Sequence, residues 1–496
     1  MHIQFLLSIL ISGLSHGLCN SGNYLLYDVF KGEGFNLRRD VYIRMANTVR
    51  LLNLNRKSSS PTNWTLVLPP WMLMSHWMTA ASQLPNVTLS SDPLPWSTFF
   101  DLDSLSEVIP VMELEEFMTT VLRTPNAIGK RVDLAVQLFR NSVESFSGIL
   151  DSVEFCSEEL RSRYQSPDSL YYPPITLYPH MDEGRLNGLL SASRYDCVTG
   201  SLEPLSLAPF LEDLLESIDI NGSIKSIYLG SAETVIHGQL SEWSAEYWTI
   251  RRSMVFASEL RDVADEFRRT YLNSTDIPDH TFPPFSIPGR GPGSAWLHRK
   301  WPFAPAVGGP YLAVHWRCGD YVQSSGDRWI NTPSPVHLAS QIQFALDYLA
   351  SEHSTVINVV FLSTDANKID VDELGTHLGS VKLLRFEPTP ERWVTLGPGG
   401  IAIVDQWICS HARFFLGTNP STFTFRIAEE RTIMGFPLFS TFNTICPEGG
   451  VRLYGGSETT AAAPASNSCE PLTAWPVVYE SAYTIYPEDK THRPEL

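Results

Sequence analysis

Cysteine is sparse in this chain: seven in 496 residues, with no CxxC pair among them. That excludes the usual structural zinc site, whose thiolates come in close pairs. Basic charge is also short, with 36 Lys and Arg against 54 Asp and Glu and a net charge of −18. A nucleic-acid partner is therefore not expected, because a phosphate backbone needs a basic surface. One small anion held by a few local arginines stays compatible. Long apolar runs are missing too. Residues 5–11 are apolar except for Ser8 and are followed by the small residues Ser12, Gly13, Ser15 and Gly17, the pattern of a signal peptide. The run falls short of the roughly 20 apolar residues a bilayer-spanning helix needs. No membrane span is expected, and the mature chain should begin near residue 20.

What is present fits a secretory route. Four sequons occur, at Asn63, Asn86, Asn221 and Asn273, and each is a glycan acceptor if it reaches the lumen. Cys19 sits beside the signal peptide, which leaves six cysteines. In an oxidising compartment bridges are expected, and Cys156–Cys197 and Cys446–Cys469 each flank a loop-like stretch rich in Ser and Pro. Closing such loops stabilises by about 3–4 kcal/mol in the chain-entropy model. Cys409 lies in an apolar helical run and reads as a buried thiol, while Cys318 stays open. The endoplasmic reticulum lumen is the expected location, with the Golgi or secretion as further destinations.

The pattern along the chain is α/β. Residues 24–29 read as a buried strand, Gly32-Glu33-Gly34 as a turn, and the next stretch as a helix capped by Asn36, with Leu37, Val41, Met45, Val49 and Leu52 on its inner face. Residues 64–68 form a second strand, completing the opening βαβ unit of a Rossmann-like domain. Residues 198–275 look largely helical, with one amphipathic run over 247–267. Residues 276–310, rich in Pro and Gly, read as a linking loop. The second half repeats the pattern: strands over 311–315, 356–362, 381–386 and 414–416, and helices over 336–351, 401–411 and from Pro420. The expected organisation is a signal peptide (1–20), an N-terminal Rossmann-like domain with a helical insert (21–275), the linker (276–310), a C-terminal Rossmann-like donor-binding domain (311–446) and a low-complexity tail (447–496).

Three places can carry chemistry. Gly32-Glu33-Gly34-Phe35-Asn36 joins a strand end to a helix start, where free N–H groups suit phosphate and Glu33 could accept a proton. On spacing alone, an ordinary βα turn with a solvated Glu is the better reading. His315-Trp316-Arg317 ends a strand, where α/β proteins bind ligands, and Arg suits bidentate contact with a diphosphate; the competing reading pairs Arg317 with Asp320. Gly417 to Phe423 offers Asn419 as helix cap and Pro420 as first helical residue, with Ser421 and Thr422 able to hold a phosphate. Phe423 fits helix core equally well. Asp405, in a mostly apolar helix, either meets a ligand or faces solvent. Asp101-Leu-Asp103 and Asp370-Val-Asp372 match the DxD pattern of metal-dependent transferases. The first is placed in a polar turn and the second in a polar loop, and neither is taken as a metal site.

The segments YLLYDVFKGEGFNLRRDVYIR (24–44), WTLVLPPW (64–71), EYWTIRRSMVFA (246–257), VDQWICSHARFFLGT (404–418) and STFTFRIAEER (421–431) closely resemble the GDP-fucose protein O-fucosyltransferases, in particular the branch acting on thrombospondin type 1 repeats. The resemblance implies a GT-B fold, two Rossmann-like domains facing a central cleft. It implies inverting transfer of fucose from GDP-fucose to Ser or Thr of folded repeats, with no metal or other cofactor. By position, Glu33 falls on the catalytic Glu, and Gly32, Gly34, Phe35 and Asn36 on the donor loop. His315, Trp316 and Arg317 fall on the segment whose Arg supports the diphosphate; Asp405, Ser421, Thr422 and Phe423 fall on the donor site. Both expected disulfides lie where the family has bridges. Trp316 stands where the family has Leu, and Cys318 replaces a second basic residue. Two other readings remain: a transferase for EGF-like repeats, and a non-catalytic protein that binds folded disulfide-rich repeats.

Overall fold

The computed structural model describes residues 22–454 except 31, 55–62, 72–73, 75–76, 78–92, 123–129, 141–152, 161–189, 201, 219–224, 239–243, 282–304, 323–327 and 448–449. The signal peptide, Asn86, Asn221, Cys469 and the tail from 455 lie outside the described residues. Two compact units emerge, and both are α/β.

The first unit comprises residues up to Asp28, Thr48–Pro69 and Ile109–Val235. Its strands are β1 (Asn23–Tyr27), β2 (Trp64–Leu68), β3 (Val111–Glu113), β4 (Lys130–Arg140), β5 (Glu154–Phe155), β6 (Leu190–Gly200) and β7 (Ser226–Gly230). They form one sheet in the order β3-β2-β1-β7-β4-β6-β5. All pairings are parallel except β5 with β6. Every residue of β1 and β7 is buried, as expected for central strands of a parallel sheet covered on both faces. The helix α1 (Phe35–Leu54) joins β1 to its parallel neighbour β2, so the opening βαβ unit stands as the sequence indicates. Cys156 and Cys197 form a disulfide, beside a hydrogen bond from the Cys156 N–H to the Cys197 carbonyl, and so staple the β5–β6 edge.

The second unit comprises Val29–Asn47, Pro70–Val108 and residues from Ile236 onward. Its strands are β8 (Gly309–Trp316), β9 (Val359–Thr364), β10 (Lys382–Leu384), β11 (Ala412–Thr418), β12 (Thr444–Ile445) and β13 (Val451–Arg452). Their order is β10-β9-β8-β11-β12-β13. Counted within the unit this is 3-2-1-4-5-6, the dinucleotide-binding order, parallel but for the last hairpin. Its helices include α2 (Ala245–Ser253), α3 (Ser258–Tyr271), α4 (Pro335–His353), α5 (Lys368–Leu378), α6 (Pro390–Ser410) and α7 (Thr422–Met434). The order in which strands are added reverses between the parallel neighbours β8 and β11, so their carboxyl ends mark the switch point where such sheets bind ligands.

Several expectations are corrected. The division at 276–310 gives way to interleaved units, because Val29–Asn47, Pro70–Val108 and residues 236–275, all placed in the first domain by sequence order, cluster with the second unit. The run 247–267 is two helices, broken at Met254–Ala257, where Phe256 bridges to Phe100. The stretch 198–275 also contains β7, whose SIYLG sequence is an unbroken strand. Helix α1 begins at Phe35, so Asn36 lies inside its first turn rather than capping it. Leu37 is 41% exposed, whereas Val41, Met45, Val49 and Leu52 are buried. Strand β9 starts three residues later than expected and leaves Val356 exposed. The helix expected over 401–411 extends back to Pro390, with a break at Gly397, whose φ of 61° suits glycine. Asn63 and Asn273 are exposed, as glycan acceptors must be.

Candidate functional site

Strand β8 ends in three residues whose side chains alternate, as a strand requires. Trp316 points into the apolar core of the second unit with Leu312 and Val314. There its indole N–H donates to the Pro333 carbonyl at 3.1 Å, and its ring stacks on Trp329. His315 and Arg317 take the other direction. The backbone around them is bonded by side chains from neighbouring elements. The Thr418 hydroxyl donates to the His315 carbonyl at 2.8 Å and accepts from the Arg317 N–H at 3.0 Å. Asp365 accepts the Cys318 N–H at 2.7 Å through Oδ1 and pairs with Arg317 Nη1 through Oδ2. Arg317 Nη2 also meets Asp320 at 2.7 Å, so the ion pair weighed from sequence is present. The guanidinium, about a quarter exposed, is thus steered by two carboxylates.

His315 is buried and stacks on Phe423 at 4.5 Å, and its Nδ1 lies 2.7 Å from Thr424 Oγ1. That hydroxyl already accepts the Thr418 N–H at 3.0 Å. Its own hydrogen then needs an acceptor, and Nδ1 is the one in reach, which leaves the proton of the neutral ring on Nε2. Burial, helped by the Arg317 charge, pulls the ring's pKa down to about 3, so His315 is neutral near pH 7. The close fit here depends on glycine: a Cβ on Gly417 would come within 2.2 Å of Thr424 Cγ2.

The expected helix start at Pro420 is displaced. Helix α7 begins at Thr422 with Ser421 as N-cap, and Asn419–Pro420 is a cis peptide bond before it. Ser421 makes no side-chain cap bond, and no other described side chain caps this helix. Its first turn, with Ser421, Thr422 and Phe423 half-buried, therefore presents uncapped N–H groups next to His315.

Asp405 lies on α6 and accepts from Ser363 Oγ at 2.9 Å through Oδ2. Its Oδ1 is buried and has no partner among the described residues. Burial raises its pKa to about 7, against the opposing effects of Ser363 and Arg385. An orphaned buried acceptor at the carboxyl end of β9 is suited to a ligand N–H or O–H.

Gly32, Glu33 and Gly34 precede α1, with the Glu33 N–H bonded to the Phe30 carbonyl. Arg38 Nε donates to the Glu33 carbonyl at 3.0 Å. The Glu33 side chain is half-buried, and its carboxylate has no partner among the described residues. Phe35 is buried among Trp71, Trp77, Phe99 and Phe100, with the Trp71 ring 4.7 Å away. It fixes the helix start from beneath, leaving the loop backbone as its route to a ligand. Asn36 Oδ1 accepts from Gln406 Nε2 at 3.1 Å and from Arg39 Nη1 at 3.3 Å, which ties the Glu33 loop to the helix of Asp405. Deeper, Asp40 meets Arg426 at 3.1 Å and His237 at 3.2 Å, so α1 is also bonded to α7.

Sequence reasoning missed the partners: Ser363, Asp365, Thr418, Thr424, Gln406 and Arg39. Each but Arg39, which shares α1 with Asn36, lies far in sequence from the site residue it bonds, and no local spacing marks it. The DxD matches are accounted for. Asp101 caps a short helix by accepting the Ser104 N–H, and Asp370 lies on α5, not in a loop, where it pairs with Arg328. Cys318 and Cys409 are free and buried, and burial pushes both thiols up. Cys446 is disulfide-bonded; its expected partner, Cys469, is outside the described residues.

Residues 24–434 match the family model described as GDP-fucose protein O-fucosyltransferase. The chain is 35% identical to the human GDP-fucose protein O-fucosyltransferase 2, over 93% of this chain and 91% of that protein. The Caenorhabditis elegans protein of the same name is 34% identical over 92% of this chain and 90% of its own length. The Drosophila melanogaster one is 36% identical over 94% and 84%. With a family match running from β1 to the end of α7, and relatives aligned over nearly their whole length, the chain belongs to the GDP-fucose protein O-fucosyltransferase family.

Proposed function

We propose that this protein is a peptide O-fucosyltransferase of the endoplasmic reticulum lumen. It transfers fucose from GDP-fucose to Ser or Thr hydroxyls of folded thrombospondin type 1 repeats, with inversion and without a metal. The relatives' names support the donor and the protein acceptor. The observation that carries the chemistry is the bond from Asn36 to Gln406. It holds the loop of Glu33, whose carboxylate has no partner among the described residues, against the helix bearing Asp405, whose Oδ1 has none among them either.

In this reading the acceptor oxygen bonds to the anomeric carbon as the bond from that carbon to the diphosphate oxygen breaks. The leaving electron pair goes to GDP, and the acceptor's proton passes to Glu33. Negative charge grows on the diphosphate. Arg317, oriented by Asp365, and the uncapped N–H groups at the start of α7 are placed to receive it. His315, neutral and protonated on Nε2, adds a donor without adding charge. Asp405 accepts a hydrogen bond from the nucleotide or sugar.

The test is a panel of purified thrombospondin and EGF-like repeats with GDP-fucose, with and without EDTA, and the product's anomeric configuration read by NMR. Transfer to thrombospondin repeats alone, unaffected by EDTA and with the anomeric centre inverted, is expected. Transfer to EGF-like repeats instead, or loss of activity with EDTA, would overturn the acceptor or the metal-free reading. Glu33→Gln should lower kcat by 10²-fold or more, in the range of about 10²–10⁴ for a lost general base, while GDP still binds. Arg317→Ala should weaken GDP as well. Full turnover by Glu33→Gln removes it as the base.

A further inference from the structure

Asn36 has an amide whose two ends offer opposite chemistry, an acceptor oxygen and a donor NH2. Which end faces a ligand decides whether the residue attracts or repels an anion. Neighbouring bonds settle that orientation, and they lead back to one charge. Arg39 has only N–H groups, so an atom it bonds must be an acceptor. Its Nη1 reaches Gln406 Oε1 at 2.9 Å and Asn36 Oδ1 at 3.3 Å. With its oxygen committed to Arg39, Gln406 turns its Nε2 to Asn36 Oδ1 at 3.1 Å. Both amides are thus fixed in one sense, and the free end of Asn36 is its NH2.

Arg39 itself is held where it can do little else. Its side chain is fully buried, with its guanidinium 5.1 Å from the centre of the Phe256 ring and 5.5 Å from that of Phe100. Its Nε and Nη2 have no partner among the described residues. A buried cation with one productive edge is costly to keep, and that edge is the one directed at the two amides.

We propose that Arg39 and Gln406 are positioning residues that polarise Asn36, so that it presents only N–H donors to an anionic group of the sugar-nucleotide donor. This rests on the reading above that Asn36 contacts that donor. The bonds run from a buried guanidinium through one amide to a second, and the second amide sits three residues from Glu33. The same bonds fix the register of α1 against α6.

The substitution that separates polarity from packing is Gln406→Glu. It is close to isosteric and sits against Arg39, so it should fold. Its carboxylate accepts from Arg39 but has no N–H for Asn36. The Asn36 oxygen then faces another oxygen, and the amide is driven to turn over and offer its carbonyl to the anion. Gln406→Met removes both Gln406 bonds, the one accepted from Arg39 and the one donated to Asn36, yet leaves Arg39 Nη1 to orient Asn36. GDP affinity measured by calorimetry on the full-length protein should fall at least tenfold in Gln406→Glu. It should fall at least fivefold less in Gln406→Met, and KM for GDP-fucose should follow the same order. Thermal midpoints of both variants report the fold independently. Asn36→Ala separates the two readings. If it binds GDP as well as the native protein, the donor-contact reading of Asn36 fails. If it is impaired while Gln406→Glu binds no worse than Gln406→Met, the polarity relay itself is wrong.

Discussion

In the function proposed above, Asp405 trades stability for binding. Burial holds its carboxyl at about 7, far above the ordinary 3.8. Ionising it in the folded protein is therefore unfavourable, and its Oδ1 has no donor to offset that cost among the described residues. Asp405→Asn removes the ionisation cost while keeping the Ser363 bond, since the amide oxygen can still accept. The thermal midpoint of the ligand-free protein should rise by roughly a few degrees at pH 7.5 and not change near pH 3.5. GDP affinity, measured on the same preparations, should fall. A variant that is no more stable at pH 7.5 would mean that Asp405 is not strained by burial. Of this residue the sequence showed only a charge inside an apolar helix. Whether it met a ligand or water depended on Ser363, a residue of β9 some forty positions away. Trp316 was similarly ambiguous as a letter but not as a strand position: alternation along β8 sends it to the core whenever His315 and Arg317 face the site.

At the scale of elements, the site is a junction of β8, β11 and the first turn of α7, and Thr424 is the residue all three share. Its hydroxyl serves His315 Nδ1 and the Thr418 N–H, both buried. Thr424→Val keeps the shape and removes that service, leaving one buried N–H and one ring nitrogen unsatisfied. The expected loss is about 1–3 kcal/mol for each buried group left without a partner, read as a lower urea midpoint with an unchanged m-value. GDP binding should weaken with it, because His315 loses the bond that fixes its tautomer. Loss of stability without loss of GDP affinity would separate the junction from the ligand. The strands of this junction were legible because buried parallel strands are nearly continuous apolar runs, as in Tyr311–Val314 and Phe414–Leu416. The start of α7 was not. Asn419-Pro420 has the residue types of a cap and first turn, yet the chain turns there through a cis bond and begins the helix two residues later. The split of 247–267 into α2 and α3 was hidden likewise, because both halves are helix-forming and the break is set where Phe256 forms an isolated bridge with Phe100, far away in sequence.

Across the whole molecule, the same logic of long-range pairing explains what sequence order could not show. Residues 29–47 follow β1 directly but pack with the later unit, since Asn36, Arg39 and Asp40 find their partners on α6 and α7. Order along the chain is a poor guide once buried polar groups choose partners hundreds of residues away. Those buried groups also set how the protein responds to acid. His315 and His411 are held at about 3 and about 4 by burial, against 6.5 unperturbed. Both stay neutral in the folded chain around pH 5, while the unfolded chain binds a proton at each. Asp405 acts in the opposite sense: it keeps a proton when folded and loses it when unfolded. Of these three groups, the unfolded state binds two protons and the folded state one. These three groups together should therefore make stability rise with pH between about 4.5 and 6 by at most about 1.4 kcal/mol per pH unit, one proton's worth. Asp405→Asn should roughly double that slope, and His315→Gln should bring it close to zero. Chemical denaturation at half-unit pH steps measures all three slopes on one scale. The order Asp405→Asn steeper than native, native steeper than His315→Gln, is the signature of neutral buried histidines. If the three slopes are the same, those imidazoles exchange protons with solvent in the folded state, and the neutral Nε2–H donor assigned to His315 goes with them.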